Sequence, residues 1–397
     1  MQVPPFSLDQ QLSDIGHQLE TAASKVLRSG HYIGGKEVDD FEKSFAASVC
    51  VPYAIGCNSG TDALILALRA LDIGPGDEVL TPSFSFFATA EAISNVGAKP
   101  VFIDIDPKNF LINTGLIEKA ITSATKAILP VHLFGCPVDM DVIVSIAKKN
   151  RLKIIEDCAQ AAGSYWRGKP VGGIGDIGCF SFFPTKNLGA AGDGGAVTTH
   201  DPEIAQRVRE IAVHGMPRRY FHTNLGYNSR LDALQAAILS VKLPMLSDWV
   251  KKRQAIALRY QKLLKGIPGL EMPGDSINDQ DLCGHSWNQF VVKIKGNNLS
   301  KKLDREEIFD HQENNLSDST YRDWLKEELS KNGVNTIIYY PIPIHLQPIY
   351  QEIGYKDCKL PFTEKVSHQV LSLPIFPELT LDKQDYVVNQ IRNLLLV

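Results

Sequence analysis

No stretch of the chain is apolar for the ~20 residues that a bilayer-spanning helix needs. The opening Met1-Gln2-Val3-Pro4-Pro5 has neither a cationic region nor an apolar run, so no secretory signal is expected there. The seven cysteines, Cys50, Cys57, Cys136, Cys158, Cys179, Cys283 and Cys358, are scattered, odd in number and form no CxxC pair. That usage fits free thiols in a reducing compartment, and a cytoplasmic protein is expected. There is no surplus of positive charge, the net value being -4. The short basic runs Lys148-Lys149 and Lys251-Lys252-Arg253 read as solvated helix faces, so neither a nucleic-acid nor a membrane partner is expected. No Gly-rich loop runs into Lys-Ser/Thr, which excludes a phosphoryl-transferring P-loop, and no GxSxG elbow is present. The ten histidines show no HExxH or similar ligand spacing, so no metal site is expected.

What is present is an ordinary globular balance, 44% apolar and 22% charged over 397 residues, too long for one core. Two domains are expected, 1–250 and 251–397. Strand and helix signals alternate through the first: strands at 77–81, 99–103, 127–131 and 153–155, helices at 63–71, 88–96, 114–121 and 138–148. Continuous apolar strands between helices predict an α/β unit with a mainly parallel central sheet. Strands at 163–166, 179–183 and 195–199 follow, joined by Gly-rich turns. A long helical stretch from Leu231 is expected to break at Pro244 and resume over 248–264. Beyond Pro268 a smaller α+β unit is expected, with strands at 289–294 and 336–339 and helices at 320–331 and 382–395. The polar segment 295–319 reads as a surface insertion.

Three segments carry chemistry. Asn58-Ser59-Gly60-Thr61-Asp62 precedes a good helix, and the free N–H groups of a helix start suit a phosphate as well as an ordinary cap. The apolar Ile154-Ile155 run delivers Glu156 and Asp157 at a strand tip, the edge where parallel sheets bind ligands, although a loop-capping acid reads the same way. Ser181-Phe182-Phe183-Pro184-Thr185-Lys186 ends a strand and presents one lysine before a glycine run, as a desolvated amine or a loose surface residue. Taken together, a phosphate site, an acid and an enclosed lysine are what pyridoxal 5'-phosphate requires: the lysine forms the Schiff base, the acid keeps the ring nitrogen protonated, and the helix start anchors the phosphate. Gly173-Ile174-Gly175-Asp176-Ile177-Gly178 matches the dinucleotide pattern GxGxxG, but a strand is expected after it instead of a helix, so a nucleotide-cofactor role is set aside.

From about Gly30 onward the chain resembles the DegT/StrS family of nucleotide-sugar aminotransferases. The resemblance rests on Gly60-Thr61-Asp62-Ala63-Leu64, Thr81-Pro82-Ser83-Phe84-Ser85-Phe86, Glu156-Asp157-Cys158-Ala159-Gln160, the Lys186 segment, Gly226-Tyr227-Asn228-Ser229-Arg230-Leu231-Asp232 and Tyr340-Pro341-Ile342-Pro343-Ile344-His345. It implies the aspartate aminotransferase fold (fold type I), with Lys186 as Schiff-base lysine and proton carrier. It also implies Asp157 at the ring nitrogen, Gln160 at the ring hydroxyl, Phe86 on the ring face, and Gly60, Thr61 and Ser181 at the phosphate. Asn228 would reach the phosphate bound by a neighbouring subunit, which implies a homodimer with shared sites. Lys186 stands where the dehydratase branch has histidine, which favours amino transfer. A histidine frequent in the family is missing from Trp287-Asn288-Gln289-Phe290.

The reaction so implied moves an amino group from L-glutamate, leaving 2-oxoglutarate, to a keto sugar carried on a nucleotide. Arg218-Arg219-Tyr220-Phe221-His222 and the segment after Gly226 resemble members that aminate C3, on dTDP-linked 6-deoxy sugars or UDP-linked N-acetylated uronic acids. Amination at C4 is the alternative; regulation by a catalytically idle member is another. Tyr220, Arg230, Tyr340 and His345 are the candidate substrate residues. Arg230 could pair with a uronate carboxylate or brace a dimer contact.

Overall fold

The computed structural model describes residues 1–273, 284–296 and 318–396. Its centre is a seven-stranded sheet of β1 (Tyr53–Cys57), β2 (Glu78–Pro82), β3 (Lys99–Ile103), β4 (Thr125–Ile128), β5 (Lys153–Asp157), β8 (Ile177–Ser181) and β9 (Gly195–Thr199). The order is β1-β9-β8-β5-β4-β2-β3. Every pairing is parallel except the two made by β9, which runs against both β8 and β1. A two-stranded ribbon, β6 (Tyr165–Trp166) and β7 (Lys169–Pro170), lies between β5 and β8 in the chain. The expected mainly parallel sheet is therefore present. It gains β1, which the strand signals beginning at residue 77 leave out.

Helices cover the sheet because its strands are apolar on both faces. In chain order they are α1 (Asp9–Ser29), α2 (Lys36–Ser48), α3 (Gly60–Ala70), α4 (Ala88–Asn95), α5 (Thr114–Ala120), α6 (Met140–Asn150) and α7 (Pro202–Ala212). Helix α3 is buried almost all round, through Ala63, Leu64, Ile65, Leu66, Ala67 and Leu68. A helix this apolar stays folded only inside a core, and it packs against β8, β9, α4 and α7. Pro244 breaks the next helical stretch as expected. Helix α8 (Ala233–Lys242) ends in a short 3-10 turn, Leu243–Met245, before α9 (Leu246–Leu264).

A second, three-stranded antiparallel sheet combines β10 (Leu270–Glu271), β11 (Phe290–Ile294) and β12 (Val370–Leu373). Residue 250 falls within α9, whose Leu246 and Val250 pack with Phe45 and Phe180, while Ile256, Ala257, Tyr260 and Leu264 pack with Phe290 and Leu371. The strand expected at 336–339 is reduced to one bridge, Ile337 with Ser372. Pro341 and Pro343 follow at once, cannot donate to a ladder and turn the chain away. Most of the insertion expected at 295–319 lies outside the described residues.

Candidate functional site

The C-terminal ends of β1, β2, β5 and β8 share one edge of the sheet, and the expected chemistry gathers there. After β1 the chain enters α3 through Ser59, whose hydroxyl accepts the Asp62 N–H at 3.1 Å. The N–H groups of Gly60 and Thr61, the first two of the helix, have no acceptor within it. A Cβ on Gly60 would lie 2.7 Å from the Ser181 Cβ. Glycine is thus what lets the helix start press against the tip of β8, bringing Gly60, Thr61 and Ser181 together. The result is a compact donor site for an anion.

Asp157 ends β5 and is 4% exposed. Its Oδ1 accepts the Ala159 N–H at 3.1 Å and its Oδ2 accepts the Thr89 hydroxyl at 2.8 Å. Burial pushes this carboxyl above the usual aspartate range, and the two hydrogen bonds and the positive charge of Lys186 offset only part of that rise. No salt bridge reaches Asp157 among the described residues. Lys186 follows β8 in a tight turn, its N–H bonded to the Phe183 carbonyl at 2.8 Å. Burial lowers its pKa to about 8, with Asp157 pulling the other way.

Gln160 and Tyr340 join the two halves of the site. Gln160 Oε1 accepts the Phe134 N–H at 2.7 Å, and its Nε2 donates to the Tyr340 hydroxyl at 2.8 Å. The Tyr340 ring lies 6.2 Å from both Phe84 and Phe86. Phe84 is buried in the core, whereas Phe86 is 58% exposed and offers its ring to the cleft. His345 is placed differently from its expected substrate role. It is wholly buried, with Nδ1 2.7 Å from the Ser83 hydroxyl and Nε2 3.2 Å from Glu364. With both ring nitrogens engaged, it acts as a brace that ties the Tyr340 segment to the chain after β2.

Asn228 and Arg230 are knitted to the start of α3 in their own chain. Asn58 donates to the Asn228 carbonyl at 2.9 Å, the Arg230 N–H donates to Asn58 at 3.2 Å, and the Arg230 guanidinium donates to the Asn228 side chain at 2.6 Å. Tyr220 stands apart at 81% exposure, its hydroxyl accepting from Arg219 at 3.2 Å. No contact joins it to Lys186 or Tyr340 among the described residues.

The GxGxxG-like run has a different purpose from any that its pattern suggests. With Gly172 just before it, it wraps Glu156, the residue before Asp157: Gly172 donates to Oε2 at 2.9 Å, while Ile174 and Gly175 donate to Oε1 at 2.8 and 2.6 Å. The fourth partner is His132, 3.0 Å from Oε2. Its Nδ1 accepts the Val138 N–H at 3.0 Å, so Nε2 carries the proton that Glu156 accepts. Burial pushes Glu156 up, but these bonds outweigh it and hold the carboxyl below the usual range. Replacing Glu156 with alanine leaves four donors unpaired in a dry site, an expected loss of about 3–5 kcal/mol. A melting temperature equal to that of the parent would contradict this reading. Sequence reasoning also leaves out Thr89, whose one signal is its spacing of four residues from Ser85.

These groups suit pyridoxal 5'-phosphate. Asp157 is a buried carboxylate in want of a cation, which a protonated ring nitrogen supplies. The helix start suits the phosphate, Phe86 the ring face, and Lys186 the aldehyde carbon. Comparison with known proteins agrees. Over residues 13–392 the chain matches the model of the DegT/DnrJ/EryC1/StrS aminotransferase family. It is 43% identical to a Geobacillus stearothermophilus protein named pleiotropic regulatory protein, covering 98% of both chains. It is 41% identical to the UDP-N-acetyl-3-dehydro-alpha-D-glucosamine 3-aminotransferase of Acidithiobacillus ferrooxidans, covering 99% of this chain and 98% of the other. A solved Bacillus subtilis protein with bound cofactor PMP superimposes with a TM-score of 0.87 at 34% identity, covering 100% of this chain and 86% of that one. With the match spanning both sheets and every segment of the site, the chain belongs to the DegT/DnrJ/EryC1/StrS aminotransferase family.

Proposed function

We propose that the protein is a pyridoxal-phosphate enzyme that moves an amino group from L-glutamate to C3 of a keto sugar carried on UDP or dTDP. The observation that carries this reading is the meeting of Asp157, Lys186 and the start of α3 on one sheet edge. Lys186 would hold the cofactor by its amine, with Asp157 at the ring nitrogen, Gln160 at the ring hydroxyl, Phe86 on the ring face, and Gly60, Thr61 and Ser181 at the phosphate. When bound, the cofactor withdraws electrons from the carbon that bears the amino group. Asp157 sustains that withdrawal by staying charged. Lys186 Nζ takes the proton from the amine-bearing carbon and returns one at the end of each half-reaction. A pKa of about 8 leaves a usable fraction of neutral amine near neutral pH.

The C3 position is supported by the activity for which the Acidithiobacillus relative is named. The regulatory name of the Geobacillus relative marks the competing reading. A purely regulatory chain has no need of a lysine lowered toward neutrality beside a buried aspartate, and both are in place. We further propose a cytoplasmic homodimer in which Asn228 serves the neighbouring site, on a surface where Tyr220 and Leu225 are 81% and 86% exposed. Cys50, Cys57, Cys158, Cys179 and Cys358 carry free thiols, and no helix among the described residues is long and apolar enough to cross a membrane. Turnover of L-glutamate with a panel of UDP- and dTDP-linked 3-keto and 4-keto sugars tests the specificity. Amination of a 3-keto sugar is expected. Turnover of 4-keto sugars alone would move the position to C4, and loss of a sugar hydroxyl without any amino donor would make the protein a dehydratase.

A further inference from the structure

The carboxylate of Asp157 has two protein donors, and they differ in kind. One is the Ala159 N–H, two residues along the same chain and fixed by the turn itself. The other is the Thr89 hydroxyl, 68 residues away on the first turn of α4. Thr89 is 1% exposed, and its Oγ1 lies 2.7 Å from the hydroxyl of Ser85, which is 5% exposed. A carboxylate only accepts, so the Thr89 proton points at Asp157 and Ser85 must donate to Thr89. The polarity of this buried relay is therefore set by the negative charge at its end. The same residue also ties down the ring side of the cleft, because the Thr89 N–H bonds to the Phe86 carbonyl at 3.2 Å.

We propose that Thr89, oriented by Ser85, is a positioning residue that fixes the Asp157 carboxylate and preserves its charge toward the cofactor's ring nitrogen. This rests on the proposed function, in which Asp157 faces that nitrogen. Burial favours the neutral acid, and the groups that resist it are the Ala159 N–H, Thr89 and the charge of Lys186. Of these, the Thr89 hydroxyl is the side-chain hydrogen bond. Without it, one oxygen is left buried and unpaired, and the proton shared with the ring moves toward the carboxylate. A hydroxyl at position 89 is then required, while its methyl group is not.

The test loads the full chain with pyridoxal 5'-phosphate labelled with 15N in the ring and reads the nitrogen signal in the parent, Thr89→Val, Thr89→Ser and Ser85→Ala proteins. The parent and Thr89→Ser are expected to show a protonated ring nitrogen. Thr89→Val is expected to shift toward the unprotonated signal, with cofactor affinity reduced about ten-fold or more. Ser85→Ala is expected to move the same way by less, and it carries the test alone should Thr89→Val fail to fold. A merely structural role would lower the melting temperature of the cofactor-free protein and leave the nitrogen signal unmoved. Signals unchanged in the folded Thr89 and Ser85 variants would overturn the proposal. Asp157→Asn separates the two levels: if it too leaves the signal unmoved, the placement of Asp157 fails; if it shifts the signal while Thr89→Val does not, only the role of Thr89 fails.

Discussion

Lys186→Ala is expected to abolish amino transfer, with a loss of at least about 10³-fold, near the upper range for removing a general acid–base group. Two functions are lost together, covalent attachment of the cofactor and proton transfer at the amine-bearing carbon. The remaining anchors, from the start of α3 to Asp157, do not depend on the lysine, so the cofactor should still bind, but reversibly. The variant should lose the visible absorbance of a lysine-linked cofactor and release its cofactor on gel filtration. Retained absorbance with retained turnover would remove Lys186 from the site. The parent carries a matching pH dependence. Burial lowers the Lys186 pKa from the ordinary 10.5 to about 8, which means the amine becomes neutral, and nucleophilic, above about 8. Capture of added cofactor by the cofactor-free protein should therefore accelerate with pH through a midpoint near 8. A midpoint above 10 would show an exposed, ordinary lysine.

Asp157→Asn is expected to reduce turnover by about 10²–10³-fold, the range for removing one preorganised electrostatic group. The asparagine keeps the size of the side chain; its oxygen can still accept the Ala159 N–H, and its NH2 can donate to the Thr89 hydroxyl once that hydroxyl rotates, so folding should survive. What it lacks is the charge that holds a proton on the ring. Burial pushes the Asp157 carboxyl above the usual aspartate range, and in the free protein Lys186 supplies the opposing positive charge. The loss should therefore fall on kcat, with the phosphate anchor and the KM for sugar little changed. A variant with parental kcat would show that the ring nitrogen does not need this carboxylate.

The parts of the site legible in sequence are those that a local pattern places. Asp157 stands at the end of an apolar strand, Lys186 just beyond Pro184, and Gly60 at a capped helix start, so each is located by its neighbours. The parts that were not legible depend on partners distant in sequence. Thr89 meets Asp157 from 68 residues away, and His345 meets Ser83 across 262. Three of the four donors to Glu156 are backbone N–H groups, which no residue identity announces, so a carboxylate cradle carries the outward pattern of a nucleotide loop. The fold divides in the same way. Strands in continuous apolar runs were evident, and so was the break at Pro244. Strand β12 carries no clear signal in sequence and segment 336–339 reads as a full strand, because pairing with Ser372 is decided by tertiary contact. Helix α1 was open to periodic reading, since its buried Gln11, Ile15 and Leu19 recur every four residues.

The most direct test of the central claim follows the nitrogen itself. The cofactor-loaded protein is incubated with 15N-labelled L-glutamate and a UDP- or dTDP-linked 3-keto sugar, and the sugar product is examined by mass and NMR. The account predicts 15N bonded to C3 of the sugar, with 2-oxoglutarate formed in equal amount. A sugar that remains a ketone on either carrier in the presence of lysine-bound cofactor, or that loses a hydroxyl without gaining 15N, would contradict it.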